Sequence, residues 1–294
     1  MFLPPTFNIT DAVACGKLID QAYDQFNKAV TTSRGPIPWS IQDGYTLHGT
    51  FEAVENGKTL PFGFVASKDG SLYVVIRGTQ TPLEWLDDGS IQPTPFIPGW
   101  GTTTVGFRGI HDQIFAQIQS LVASHLSESP DLFVTGHSLG AALANLTAAH
   151  LVAAGNVASE NTTVYSFSGP RVGDPVFTAQ FNQRIAAAWR IFNTEDLVPT
   201  LPLSTVDLAP GSALGLFDTD IELILKFLIK QPHLLFQHVD SPVALTYNLN
   251  TLTDNHSLTQ LYTRLAANAS PPSLSSVSRG SMPAPAPEPK RIAA

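Results

Sequence analysis

The chain has 294 residues and a formal net charge of −8 at pH 7, and only 14% of its residues are charged. This length fits one large domain or two small ones, and either can bury a substantial core. The negative charge and the lack of any run of Lys and Arg argue against nucleic-acid binding, because phosphate contacts need clustered cations. Composition therefore indicates a globular protein with no general attraction to polyanions.

Neither a targeting segment nor a disulfide is predicted. The first residues, MFLPPTFNITDAV, lack a basic region followed by an apolar stretch, so we expect no signal peptide. No stretch approaches the roughly 18 apolar residues of a membrane span. The single cysteine, Cys15, excludes an intrachain disulfide, and its place in the predicted helix Asp11–Lys28 indicates packing rather than a reactive thiol. The sequence predicts a soluble protein and leaves its compartment open.

Short apolar segments alternate with longer helical ones between Gly44 and Thr253. Strands are predicted at Tyr45–Val54, Phe62–Ser67, Leu72–Ile76, Leu132–Thr135, Thr163–Ser168, Arg190–Asn193 and Val243–Leu249. Further helices are predicted at Gly109–Ser127, Leu139–Ala154 and Pro175–Ala188. Runs such as LYVVI and LFVT are typical of strands covered on both faces. The alternation predicts an α/β domain with a mostly parallel sheet.

The predicted domain covers residues 1–268. The remaining segment, 269–294, is rich in Pro, Ala and Ser and lacks apolar periodicity. Such a composition cannot build a packed core, so we expect a disordered tail.

The pentapeptide GHSLG at 136–140 lies where a predicted strand gives way to a helix. A serine in such a tight turn has a strained backbone, and glycines on either side leave the room that the turn needs. Ser138 would then rise above the sheet edge as a nucleophile, and the backbone N–H of Leu139 would face the oxyanion. The pentapeptide is weak by itself, and a plain Gly-Ser turn is the alternative.

A serine nucleophile needs a histidine base and an acid that orients the base, in the chain order serine, acid, histidine. The acid is expected after a later strand, where NTEDLVPT carries Glu195 and Asp196; an Asx-turn cap is the other role for the aspartate. Among the histidines, His256 follows the last predicted strand and opens a helix. His238 precedes that strand and is the rival. These positions favour His256.

A second oxyanion donor is expected in a loop after an earlier strand. The segment LYVVIRGTQ leaves a buried strand through Arg77-Gly78-Thr79, so Thr79 is the candidate. The tripeptide alone is a weak signal.

Several motifs follow one another between Val74 and Tyr262. They are VVIRGTQTPLEWLDD, VGFRGIHDQI, VTGHSLGAALA, VYSFSGPRVGD, RIFNTEDLVPTLP and HSLTQLY. This ordered set resembles the class 3 lipase family, the fungal-type triacylglycerol lipases. The resemblance implies an α/β-hydrolase fold, with a mostly parallel central sheet, helices on both faces and a lid segment. The chain departs from the family in Asp174, where Asn is commoner, and in showing neither the leader nor the disulfides of secreted fungal members.

The resemblance also implies roles for individual residues. Ser138, Asp196 and His256 correspond to the catalytic triad, which selects the aspartate over its neighbouring glutamate. Thr79 and Leu139 correspond to the oxyanion donors. The motif HSLTQLY matches the stretch that carries the family's base, whereas QHVDSPV matches a stretch without chemistry.

Two apolar segments bear on the substrate. Residues 81–101 carry large side chains among prolines and glycines and correspond to the family's lid, with Leu83, Trp85, Leu86 and Phe96 as candidate substrate contacts. A packed loop is the alternative. Residues 213–231 read as a helix too apolar for an ordinary surface position. Either burial against the domain or contact with lipid would explain the apolar character of that helix.

Together these features predict a serine carboxylester hydrolase, with a lipase acting on acylglycerols through an acyl-enzyme on Ser138 as the leading hypothesis. A phospholipase or a feruloyl-type esterase is the alternative within enzymes. A catalytically silent lipid-binding or interaction module is the alternative of another class. The expected partner is an acyl ester or acylglycerol at a lipid–water interface, and no metal or organic cofactor is implied. Oligomeric state and acyl-chain length stay open.

Overall fold

The computed structural model of the chain describes residues 6–31, 39–55, 57–79, 90–202 and 236–269. The strands are β1 Thr46–Glu55, β2 Lys58–Lys68, β3 Ser71–Ile76, β4 Pro93–Pro95, β5 Thr102–Thr104, β6 Asp131–His137, β7 Thr162–Phe167, β8 Ala187–Asn193 and β9 Ser241–Leu245. The helices are α1 Ile9–Thr31, α2 Val105–His125, α3 Leu139–Ala153, α4 Pro175–Arg184, α5 Leu252–Asn255 and α6 Leu258–Ala269.

Seven strands form one sheet in the order β1-β2-β3-β6-β7-β8-β9, while β4 and β5 pair separately. The neighbours from β3 to β9 pair in parallel, and β1 and β2 are antiparallel to their neighbours. The predicted mostly parallel sheet is therefore confirmed. Because parallel strands end at the same edge, the loops after β3, β6 and β8 are brought to one side of the molecule.

Helices cover both faces of the sheet, as predicted. One apolar layer takes buried side chains from α2, α3 and α4. The opposite layer takes them from α1 and α6, and includes Cys15, whose thiol pKa is raised by burial. Within the described part of the chain, no helix is long and apolar enough to cross a membrane.

Two elements have other ends than predicted, one because of a helix cap and one because of strand pairing. Helix α2 starts at Val105, earlier than predicted, because the Thr104 hydroxyl accepts a hydrogen bond from the Phe107 N–H at 3.1 Å. Strand β9 ends at Leu245 rather than Leu249, since its pairing with β8 stops there. Helix 213–231 and the tail from 270 onward lie outside the described residues.

Candidate active site

Ser138 alone makes the turn between β6 and α3. Its backbone has φ 58° and ψ −128°, a conformation that costs a non-glycine residue strain energy. A Cβ at Gly136 would lie 2.1 Å from the Gly140 carbonyl oxygen, and a Cβ at Gly140 would lie 2.4 Å from the Arg77 carbonyl oxygen. Side chains at these two positions would force the turn apart, so the predicted need for both glycines is confirmed.

The crowding at Gly140 leads to a stability prediction. We expect Gly140→Ala to lower the free energy of unfolding by about 3 kcal/mol, because the new methyl group meets backbone that cannot move aside. Gly109→Ala is the matched control. Gly109 is an exposed helical glycine, a Cβ there would have nothing within 4 Å, and its replacement should stabilise the protein by about 1 kcal/mol. Urea unfolding of both variants checks the pair, and equal effects would contradict the crowding argument.

Asp196 and His256 form a buried pair. The Nδ1 atom of His256 lies 2.7 Å from Oδ2 of Asp196, and the two residues are 5% and 3% exposed. The other carboxylate oxygen accepts a hydrogen bond from the Val198 N–H at 3.0 Å, which fixes the carboxylate. Since Nδ1 faces a carboxylate, it carries the proton, and Nε2 is left as the basic atom. Glu195, the neighbouring candidate, is exposed to solvent.

Two buried polar atoms at this site lack a partner. Within the described residues, neither Oγ of Ser138 nor Nε2 of His256 makes a hydrogen bond. Unpaired buried polar atoms are uncommon in folded proteins, and functional sites are one place where they persist. These are the two atoms between which a serine–histidine mechanism moves a proton.

His238, the rival base, has a different partner. Its Nε2 lies 2.7 Å from the carbonyl oxygen of Pro199. Burial lowers the pKa of His238 to about 3, with the nearby Arg190 and Arg171 acting in the same direction. The ring is therefore neutral and donates to a backbone carbonyl. His256 thus contacts the carboxylate of Asp196, whereas His238 forms a hydrogen bond with Pro199 in the turn that follows Asp196.

One asparagine that the sequence analysis did not single out, Asn193, links the loop of Asp196 to the loop of His256. The side-chain amide of Asn193, at the end of β8, donates to the backbone carbonyl of Asn255 at 3.2 Å. Its side-chain oxygen accepts from the Tyr247 N–H at 3.1 Å. Asn255 directly precedes His256. The hydrogen bond from Asn193 therefore fixes the position of the loop that carries His256 relative to the loop that carries Asp196. An amide residue at a strand end, directly before the TED segment, is the only sequence signal for this role.

The loop after β3 closely approaches the nucleophile. A Cβ at Gly78 would lie 2.9 Å from Cβ of Ser138 and 2.6 Å from the carbonyl oxygen of His137, so only glycine fits there. Thr79 follows directly, and Leu139 is buried as the first residue of α3. The two residues predicted to supply oxyanion donors are therefore well placed along the chain. Leu139 directly follows Ser138, and Thr79 directly follows Gly78, where there is no room for a side chain beside Ser138.

The candidate lid residues fall into two groups. Leu83, Trp85 and Leu86 lie outside the described residues. Phe96 is 3% exposed, and its ring meets those of Phe177 and His111 edge-on at 5.6 and 5.3 Å. In this structure the Phe96 ring packs between α2 and α4. Its contact with substrate stays a prediction.

A mostly parallel sheet covered on both faces, with a strained serine between a central strand and a helix, defines an α/β-hydrolase. Residues 73–206 match the family model described as lipase (class 3).

Proteins similar to this chain support the assignment. A lipase of Caenorhabditis elegans is 32% identical over 207 residues, covering 65% of this chain and 59% of the lipase. A phospholipase A1-II of Oryza sativa subsp. japonica is 32% identical over 169 residues, covering 47% of this chain and 40% of that protein. The chain thus spans only about half the length of these curated relatives.

A solved triacylglycerol lipase, whose catalytic centre is formed by a serine protease triad, has a similar fold. It superposes with a TM-score of 0.57 at 24% identity, covering 68% of this chain and 76% of that one. At this identity the likeness supports the fold alone.

Proposed function

We propose that the protein is a serine carboxylester hydrolase, and specifically a lipase that hydrolyses acylglycerol esters. The observation that carries the proposal is the 2.7 Å contact between Asp196 and His256, which leaves Nε2 of His256 buried and free. The ring of His256 lies 4.6 Å from that of His137, the residue directly before the unpaired and strained Ser138. A silent binding module would have no use for a strained serine beside an oriented base, because such strain costs of order 1–3 kcal/mol.

In the proposed reaction, Oγ of Ser138 attacks the ester carbonyl while Nε2 of His256 takes its proton. The Asp196 carboxylate holds the ring in the required tautomer and stabilises the imidazolium. Backbone N–H groups of Leu139 and Thr79 donate to the oxyanion. Collapse of the tetrahedral intermediate expels the alcohol, which receives the proton from His256 and leaves an acyl group on Ser138. A water molecule activated by His256 then releases the carboxylic acid. The chemistry needs no cofactor.

The names of the relatives guide the proposed substrate. One of them is named a lipase and another a phospholipase A1. We therefore place an acylglycerol at a lipid–water interface as the substrate of this chain. Phospholipid is the second candidate because of the phospholipase relatives.

Ester hydrolysis by the purified full chain tests the proposal. We expect turnover of p-nitrophenyl butyrate, and release of fatty acid from a triacylglycerol emulsion faster than from phosphatidylcholine vesicles. Faster release from the vesicles would show that the protein is a phospholipase and not a lipase. A preference for methyl ferulate would show that it is a feruloyl-type esterase. No turnover of any of these esters would overturn the hydrolase and favour a binding module.

The burial of the nucleophile leads to a prediction about interfaces. Ser138 is 1% exposed, so an ester cannot reach Oγ without a change in the structure around it. We propose that the part of segment 81–101 that carries Leu83, Trp85 and Leu86 serves as the lid, because its sequence resembles the family's lid. Activity on tributyrin should rise steeply when its concentration passes the solubility limit. A soluble acetate ester is the control and should show simple saturation. Simple saturation with tributyrin through that limit would contradict a moving lid.

A further inference from the structure

Tyr23 lies on α1, outside every motif that carries the family resemblance, yet its hydroxyl reaches the site. The Oη atom lies 3.0 Å from Nδ1 of His137 and 2.9 Å from the backbone N of Gly78. On the far side of the ring, Nε2 of His137 lies 2.9 Å from the backbone carbonyl oxygen of His256. One hydroxyl and one imidazole therefore link the loop after β3 to the loop that carries the proposed base.

The two ends of this chain of hydrogen bonds fix its direction. The N–H of Gly78 can only donate, and the carbonyl of His256 can only accept. Nε2 of His137 must then carry the proton, and a neutral ring leaves Nδ1 as an acceptor. The Tyr23 hydroxyl accepts from Gly78 and donates to His137. Each atom along this chain of hydrogen bonds, from the N–H of Gly78 to the carbonyl oxygen of His256, has a partner in this one arrangement.

The electrostatics of the site favour the same arrangement. Burial raises the pKa of Tyr23, so its hydroxyl keeps the proton that it donates. Burial, together with the nearby His256, lowers the pKa of His137 well below its usual value, so that ring is neutral. The rings of His137 and His256 have centroids 4.6 Å apart. A neutral His137 adds no repulsion when His256 becomes an imidazolium.

We propose that Tyr23 is a positioning residue, whose hydroxyl holds the oxyanion loop and the base loop in register on either side of Ser138. The inference rests on the proposed hydrolase function. Tyr23 acts through Gly78 and His137, and it touches none of the reacting atoms. The N–H of Thr79 follows the Gly78 peptide directly, so a shift of Gly78 moves a proposed oxyanion donor with it. Such a donor must lie within a few tenths of an ångström of its working position.

Tyr23→Phe tests this inference because it removes the hydroxyl and keeps the ring. We expect kcat for p-nitrophenyl butyrate to fall about 30-fold, with KM within about twofold, since oxyanion donors act mainly on the transition state. Tyr262→Phe is the matched control. Tyr262 lies on α6, and its hydroxyl donates to Asp20 of α1 at 2.6 Å rather than to any atom of the chain that joins Gly78 to His256. The control loses a hydrogen bond of the same helix and should keep its kcat.

Active-site titration with diethyl p-nitrophenyl phosphate, which labels the reactive serine, separates misfolding from misplacement. Dividing the rate by the number of labelled sites gives kcat for the folded fraction alone. Should Tyr23→Phe fold poorly, His137→Asn interrupts the same chain of hydrogen bonds and should also lower kcat without raising KM. In the double variant the two losses should not multiply, because both act through one network.

Equal kcat values for Tyr23→Phe and Tyr262→Phe would overturn the positioning role, and so would a loss confined to KM. Ser138→Ala distinguishes this failure from that of the proposed function. An inactive Ser138→Ala beside a normal Tyr23→Phe leaves the hydrolase in place and removes only Tyr23. An active Ser138→Ala removes the serine mechanism on which the inference rests.

Discussion

Ser138→Ala should lower kcat by about 10⁴ or more while the protein stays folded, because removal of a serine nucleophile leaves only substrate binding and the oxyanion donors. The change removes one oxygen from a residue whose φ of 58° is set by the turn and not by its side chain. The unfolding midpoint should therefore change little. Steady-state hydrolysis of p-nitrophenyl butyrate and urea unfolding measure the two quantities.

Ser168→Ala is a demanding control for this experiment. Ser168 follows β7 as Ser138 follows β6, has a positive φ of 47°, is 1% exposed, and has an Oγ without a hydrogen-bond partner in the described part of the chain. We expect this variant to keep most of its kcat. A well-folded Ser138→Ala with near-normal turnover, or a comparable loss in Ser168→Ala, would contradict the assignment of the nucleophile.

His256→Ala should also reduce kcat by about 10⁴ or more, because no other group would take the proton from Ser138. His238→Ala should keep kcat within about tenfold and instead lower the free energy of unfolding by about 1–3 kcal/mol. That variant leaves the Pro199 carbonyl, which accepts from His238 at 2.7 Å, without its donor.

The comparison between the two histidine variants is informative because both side chains are largely shielded from solvent. His256 contacts the carboxylate of Asp196, whereas His238 contacts a backbone carbonyl. Rates per titrated serine site remove the effect of unfolded protein. A folded but inactive His238→Ala beside an active His256→Ala would reverse the assignment of the base.

Much of the fold could be predicted from the sequence because its signals are local. The run LFVT, the two glycines of GHSLG and the alanines after it already require a strand, a tight turn and a close-packed helix. The structure has these in β6, Ser138 and α3. The same turn also predicts Leu139 as an oxyanion donor, since this residue opens the helix. For Phe96 the sequence leaves two interpretations open, because apolar side chains in a Pro- and Gly-rich segment suit a lid and a packed loop equally well.

The contacts between residues that are far apart in the sequence were decided only by the tertiary structure. Position and family resemblance favoured Asp196 and His256, but their 2.7 Å contact spans 60 residues and depends on β8 and β9 lying side by side. The choice against Glu195 is a matter of which loop side chain points inward, which neighbouring residues cannot reveal. Tyr23 had no sequence signal at all. Its hydroxyl comes within hydrogen-bonding distance of Gly78 and His137 because α1 packs against β3 and β6 on one face of the sheet. Such packing follows from the burial of many apolar side chains together and not from any motif. The sequence by itself determined the turn and the reactive residue types, and the packing of the sheet and helices determined which of them meet.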